Sequence, residues 1–154
     1  MKSKMTPTRV AIISVIVSII STAAPAYADG SCSLAHAAGN YSFTDMGTVI
    51  GVGSRTAVGT FTLDRLGKLT NGIATSSLNG SVADETFFGT YMVNPNCTGT
   101  ISVRIFASGT EILEVTLDIA FDDDMKQIRG IFTSVAEPDG TPLSTVISLE
   151  GRRQ

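Results

Sequence analysis

The sequence predicts an all-β fold, an eight-stranded antiparallel up-and-down barrel, with a β-sandwich as the alternative. Three observations carry this. From Gly39 onward, apolar and polar residues alternate with period 2 in eight runs, and no helical period of comparable strength follows residue 38. Clusters of Gly, Asn, Asp and Pro separate the runs by short turns. A Gly-x-aromatic motif recurs as Gly39-Asn40-Tyr41, Gly59-Thr60-Phe61, Gly89-Thr90-Tyr91 and Gly130-Ile131-Phe132.

A meander of short strands has two bare edges unless it closes on itself, and closure at eight strands makes a small barrel. Period 2 puts each motif glycine and its aromatic on the same strand face. There the glycine permits a sharp bend and the aromatic covers the exposed backbone. Tyr41, Phe61, Tyr91 and Phe132 would then share one wall. Alternation alone does not separate a closed sheet from two stacked sheets, so the sandwich stays as the alternative.

In chain order, residues 1–28 read as a cleaved signal peptide preceding the fold. Lys2, Lys4 and Arg9 form a basic region, Val10 to Ile20 an apolar run, and Ala26-Tyr27-Ala28 a small-x-small cleavage pattern. The apolar run gives way to Ser21, Thr22 and Pro25 before the roughly 20 residues a spanning helix needs, so no membrane span is expected in the mature form. Cleavage before Asp29 removes three of eleven Lys/Arg and none of fourteen Asp/Glu, leaving eight against fourteen, a formal charge of −6. Such a surface argues against nucleic acid, which selects a basic footprint, and against docking on anionic lipid. The expected location is secreted or periplasmic.

Residues 29–38 form an alanine-rich arm carrying Cys32, and residues 39–154 form the barrel domain. An even pair of cysteines in an exported chain predicts a Cys32–Cys97 disulfide that pins this arm. Strands are predicted over Gly39 to Ile50, Arg55 to Asp64 and Leu69 to Leu78, the last polar and weakly patterned. Asn79-Gly80 signals a type I′ hairpin into Glu85 to Asn94. Thr98 to Ala107, Glu111 to Phe121, Gln127 to Val135 and Leu143 to Glu150 complete the eight.

Gly59-Thr60-Phe61-Thr62-Leu63-Asp64, Gly67-Lys68-Leu69-Thr70-Asn71-Gly72, and Phe88-Gly89-Thr90-Tyr91 through Asn96-Cys97-Thr98-Gly99-Thr100 carry a resemblance. The chain resembles small exported bacterial β-barrel proteins and, more distantly, calycin (lipocalin-like) and allene-oxide-cyclase-type barrels. Gly39-Asn40-Tyr41 sits where a lipocalin has its first-strand Gly-x-Trp. The resemblance implies a barrel with an internal apolar cavity and transfers no catalytic residue.

Chemistry-bearing motifs are sparse. His36 is the one imidazole, and no Gly-x-Ser-x-Gly elbow accompanies the serines. One His with two paired Cys does not make a zinc set, and the contiguous Asp122-Asp123-Asp124 lacks the alternation of a calcium loop, so neither metal nor cofactor is expected. Glu114 and Asp118 share a strand face roughly 13 Å apart, too far to act as a catalytic pair alone. Arg104 and Arg129 alternate with apolar neighbours, which favours the outer surface. Turned inward, Arg104 would fix an anionic ligand through charge-assisted hydrogen bonds.

The leading expectation is a non-enzymatic binding module for a small hydrophobic molecule, contacted by Tyr41, Phe61, Tyr91, Phe132 and Arg104. It calls for an internal cavity of at least ~300 Å³, the low end for ligand pockets. An isomerase or cyclase of the allene-oxide-cyclase type is one alternative, with Glu114, Asp118, Glu150, Arg104 and Arg129 as its candidate cavity-floor charges. An envelope or surface interaction protein is the other.

Overall fold

The computed structural model describes residues 32–122 and 124–154, so the signal peptide expected over 1–28 lies outside the described residues. A short helix α1 (Leu34–Ala37) precedes strands β1 (Gly39–Val49), β2 (Gly53–Leu63), β3 (Lys68–Leu78) and β4 (Ser81–Val93). Strands β5 (Thr98–Ala107), β6 (Thr110–Phe121), β7 (Gln127–Ala136) and β8 (Thr145–Arg153) follow. Each strand pairs antiparallel with the next, and β8 returns to β1 from Tyr41–Arg153 to Val49–Thr145, so the sheet is a closed barrel in chain order. Closure removes both edges at once, which a sandwich of the same strands would not do.

The interior follows from period 2. On β1 the inward set is Tyr41, Phe43, Asp45 and Val49; on β2 it is Arg55, Ala57, Phe61 and Leu63. Phe87 and Tyr91 of β4, Ile101, Val103 and Ile105 of β5, and Val115, Leu117, Ile119 and Phe121 of β6 complete the core with Ile128 and Leu149. Burying such side chains stabilises the fold by about 1.5–3 kcal/mol each.

Two strands depart from the pattern. On β3 the inward residues are Leu69, Ala74 and Ser76, and the ladder to β4 shifts register between Leu69 and Gly72. Asn71 sits in this bulge with φ 53°, so one extra residue breaks the alternation and makes the strand look weakly patterned. The last strand starts at Thr145 rather than Leu143 and runs on to Arg153, because the closing ladder with β1 needs Gly151, Arg152 and Arg153. The Asn79-Gly80 hairpin has both residues at positive φ, 49° and 89°, as a type I′ turn requires.

The two ends of the barrel are different. At one end the arm folds back as a plug. Cys32 is bonded to Cys97, and the Ser33 side chain caps α1 by accepting from His36 N at 3.3 Å. The Tyr41 hydroxyl reaches the Ala37 and Met125 carbonyls at 2.8 and 3.0 Å, and the Tyr91 hydroxyl reaches those of Leu34 and Asp64. Arg153 donates to the His36 carbonyl at 2.7 Å, tying β8 to the same plug. The opposite end carries the 50–52, 79–80 and 108–109 turns and the longer 137–144 loop.

Candidate functional site

Above the plug lies a layer of stacked aromatics. The Tyr41 and Phe61 rings are 5.5 Å apart and nearly parallel, and Phe43 meets Phe87 edge-on at 5.7 Å. The next layer toward the unplugged end is charged. Asp45, Arg55, Ser76 and Glu85 are 3, 8, 4 and 5 % exposed, and all point inward from β1, β2, β3 and β4. The strand register makes room for them. Ala57 stands between Asp45 and Ser76, Gly47 lies opposite Arg55, and Ala74 and Ala107 flank Glu85.

Arg55 grips Glu85 with both terminal nitrogens, at 3.1 and 3.0 Å, the fork geometry that guanidinium and carboxylate share. Ser76 donates to the same carboxylate at 2.6 Å. Asp45 Oδ1 lies 3.6 Å from Arg55 Nε, a charge contact, and this oxygen is buried with no hydrogen-bond partner. Two carboxylates face one guanidinium, so the ionised layer is one negative charge in excess. Burial pushes the Asp45 carboxyl above its ordinary range; Arg55 opposes that and Glu85 adds to it.

A cavity of about 40 Å³ adjoins this layer, lined by Asp45, Arg55 and Glu85 on one side and by Phe43, Phe61, Phe87 and Phe132 among the apolar residues. It falls well short of the expected ~300 Å³. Leu, Ile and Val side chains from β5 and β6 fill the space that small residues leave on β1 to β4. A void of this size holds water where polar groups line it.

The wall of the barrel is incomplete beside Phe132. Strand β7 is laddered to β8 only where Gln127–Ile131 face Ser148–Arg152. Beyond that, β7 stays paired with β6, and Thr145–Ile147 of β8 stay paired with β1. The 137–144 loop reaches back to β7 through an Ala136–Pro142 bridge and a Leu143 N–Val135 O bond of 2.8 Å. Between these two fastenings lies a seam around residues 132–134. Phe132, half-buried, stands at this seam and lines the cavity.

The residues expected to contact a ligand are thus split. Phe61 and Phe132 line the cavity. Tyr41 and Tyr91 are buried but belong to the plug, where their hydroxyls satisfy backbone carbonyls; burial beside Asp64 pushes the Tyr91 hydroxyl up to about 12. Arg104 is outside the barrel, its side chain 54 % exposed, over the Phe88 ring and 3.7 Å from Glu111. Period 2 dictates this, because its neighbours Val103 and Ile105 take the inward positions. Glu114, Asp118, Arg129 and Glu150 are exposed too. Among the described residues no group of His, Cys, Asp and Glu has the arrangement of a metal site, and no helix is long and apolar enough to cross a membrane.

No family model matches the chain, and no curated protein matches it. Two solved β-barrels share its fold at low identity. One is EF1p2_mFAP2b bound to DFHBI, with TM-score 0.55 and 13 % identity, covering 77 % of this chain and 94 % of that one. The other is a redesigned β-barrel, mFAP1, bound to DFHBI, with TM-score 0.52 and 15 % identity, covering 79 % and 98 %.

Proposed function

We propose that the protein is an exported, non-enzymatic binding barrel for a small hydrophobic molecule, held between the aromatic layer and the buried charges. The observation that carries this reading is the charged layer itself. Three ionisable groups taken out of water cost several kcal/mol each before pairing, and a barrel needing only a solid core would fill these positions with apolar side chains. Here they line an interior void beside an incomplete wall. The fold shared with two barrels bound to DFHBI supports the use of such an interior as a container. The Cys32–Cys97 disulfide supports export, to the periplasm or beyond.

The void accommodates a guest when Phe132 swings outward through the seam, since this side chain is both cavity wall and half-exposed. Native mass spectrometry of protein purified from its own exporting cells is the direct test, with a co-purified small molecule as the expected result. In parallel, Phe132→Ala should bind apolar probes such as toluene more tightly than the wild type. If neither form carries or takes up any molecule, the container reading is wrong.

A second reading has its own observation. A buried carboxyl held above its ordinary range beside an arginine is suited to proton transfer, as an isomerase or cyclase would need. Asp45, Arg55 and Glu85 take this role in place of Glu114, Asp118, Glu150, Arg104 and Arg129, which are exposed. Turnover of a bound molecule by wild type, abolished in Asp45→Asn with binding retained, would establish it.

A further inference from the structure

We infer that the interior site selects a small organic cation, a protonated amine on an apolar or aromatic body, with Asp45 Oδ1 receiving its N–H. This deepens the binding reading above and rests on it. The Asp45 oxygen is the single buried side-chain polar atom lacking a hydrogen-bond partner among the described residues, and its residue lines the cavity. It is an acceptor, so the group that completes it has to be a donor. Arg55 does not complete it, because its facing nitrogen, Nε, stands 3.6 Å away, beyond hydrogen-bond distance, while its terminal nitrogens turn to Glu85.

The charge balance sharpens the choice. Asp45, Arg55 and Glu85 are the charged residues lining the cavity, and together they carry one negative charge in excess when ionised. An anionic guest would meet that excess in a medium of low dielectric, whereas a cation neutralises it. The rest of the lining agrees. Phe43, Phe61, Phe87 and Phe132 present ring surface to the same space, and aromatic faces attract ammonium groups. A hard metal ion fits less well, since it wants several free oxygens and both Glu85 oxygens are already bound by Arg55.

The probes are benzylamine, with benzyl alcohol and toluene as neutral matches, titrated by calorimetry near neutral pH against wild type, Asp45→Asn and Phe132→Ala. Benzylammonium should bind wild type roughly 10- to 100-fold tighter than benzyl alcohol, the range of one charge-assisted hydrogen bond. Asp45→Asn should bring the two within about 2-fold, and Phe132→Ala should retain the preference while binding both more tightly. The amine-to-alcohol ratio on wild type alone decides the matter if the asparagine variant folds poorly. Equal binding of amine and alcohol to wild type, or an amine preference that survives in Asp45→Asn, overturns cation selection while leaving the container intact. Binding of none of the three to wild type or Phe132→Ala removes both.

Discussion

Replacing Arg55 by methionine tests how dry the charged layer is. Its guanidinium lies 3.0 Å from the Glu85 carboxylate and 3.6 Å from that of Asp45, with side-chain exposures of only 7 % and 4 % for each pair. At an effective dielectric of about 20, Coulomb's law gives roughly 5 kcal/mol for each of these contacts, offset by a desolvation penalty of several kcal/mol per ion. Arg55→Met leaves the penalty on Asp45 and Glu85 and removes the compensation. The expected loss, about 3–5 kcal/mol, is that measured when one partner of a buried pair is deleted. Urea unfolding followed by circular dichroism near neutral pH reads this directly. The deficit should shrink as the pH falls, because two unpaired buried carboxyls take up protons more readily folded than unfolded. Converting all three together, as Asp45→Leu, Arg55→Met and Glu85→Leu, should instead be neutral or stabilising by about 1–4 kcal/mol. A loss below ~1 kcal/mol in Arg55→Met, the value of a solvent-screened pair, would refute a desolvated layer.

Asp45→Asn should flatten the pH dependence of stability. The folded-state pKa of Asp45 is raised, so its contribution is fully present below the unfolded carboxylate value and is lost as pH rises through the folded value. The variant should therefore be at least as stable as wild type near neutrality and lose that advantage in acid, measured as the difference between two urea series. The Cys32–Cys97 bond spans 65 residues, so Cys32→Ser with Cys97→Ser should lower stability by about 4 kcal/mol in the chain-entropy account, read by the same unfolding assay. Gly89→Ala should cost about 3 kcal/mol or prevent folding, because a Cβ there runs into the Ser102 carbonyl on β5; thermal unfolding should show a lower midpoint. Phe61→Ala should cost about 3–5 kcal/mol and Phe132→Ala about half that, since Phe61 is buried and Phe132 is half-exposed.

The barrel was legible because its strands obey one rule throughout most of their length. Tyr41 and Phe43, or Ile101, Val103 and Ile105, declare their inward face without help from any distant residue. The pattern blurred where a bulge inserts Asn71 and where the last strand takes its length from a partner a hundred residues away. The charged layer is legible in principle from the same rule. Asp45 stands in phase with Tyr41 and Phe43, Arg55 with Phe61, and Glu85 with Phe87 and Tyr91, so the rule that turned the aromatics inward turned these inward too. Arg104 is out of phase with its inward neighbours, which puts it in solvent. What one strand does not reveal is that three such charges meet. That depends on the register between neighbours, set by the Gly47–Arg55 and Ala74–Glu85 pairings. The small cavity was equally hidden, since free volume is a difference between the sizes of side chains on opposite walls.

The closing ladder between β1 and β8 has a consequence for how the chain acquires its shape. Seven of the eight ladders join strands that follow each other in sequence, so they can form as local hairpins. The eighth joins residues about a hundred positions apart, as in Tyr41 with Arg153, so its loop-closure entropy is the largest of the eight. Until β8 arrives, the outer edge of β1 is an unpaired template open to any extended segment of another chain. Topology alone thus makes closure of the sheet the step with the greatest sequence separation. The Cys32–Cys97 link encloses the first four strands, so it fastens the arm before β1 to the β4–β5 turn independently of the closing ladder.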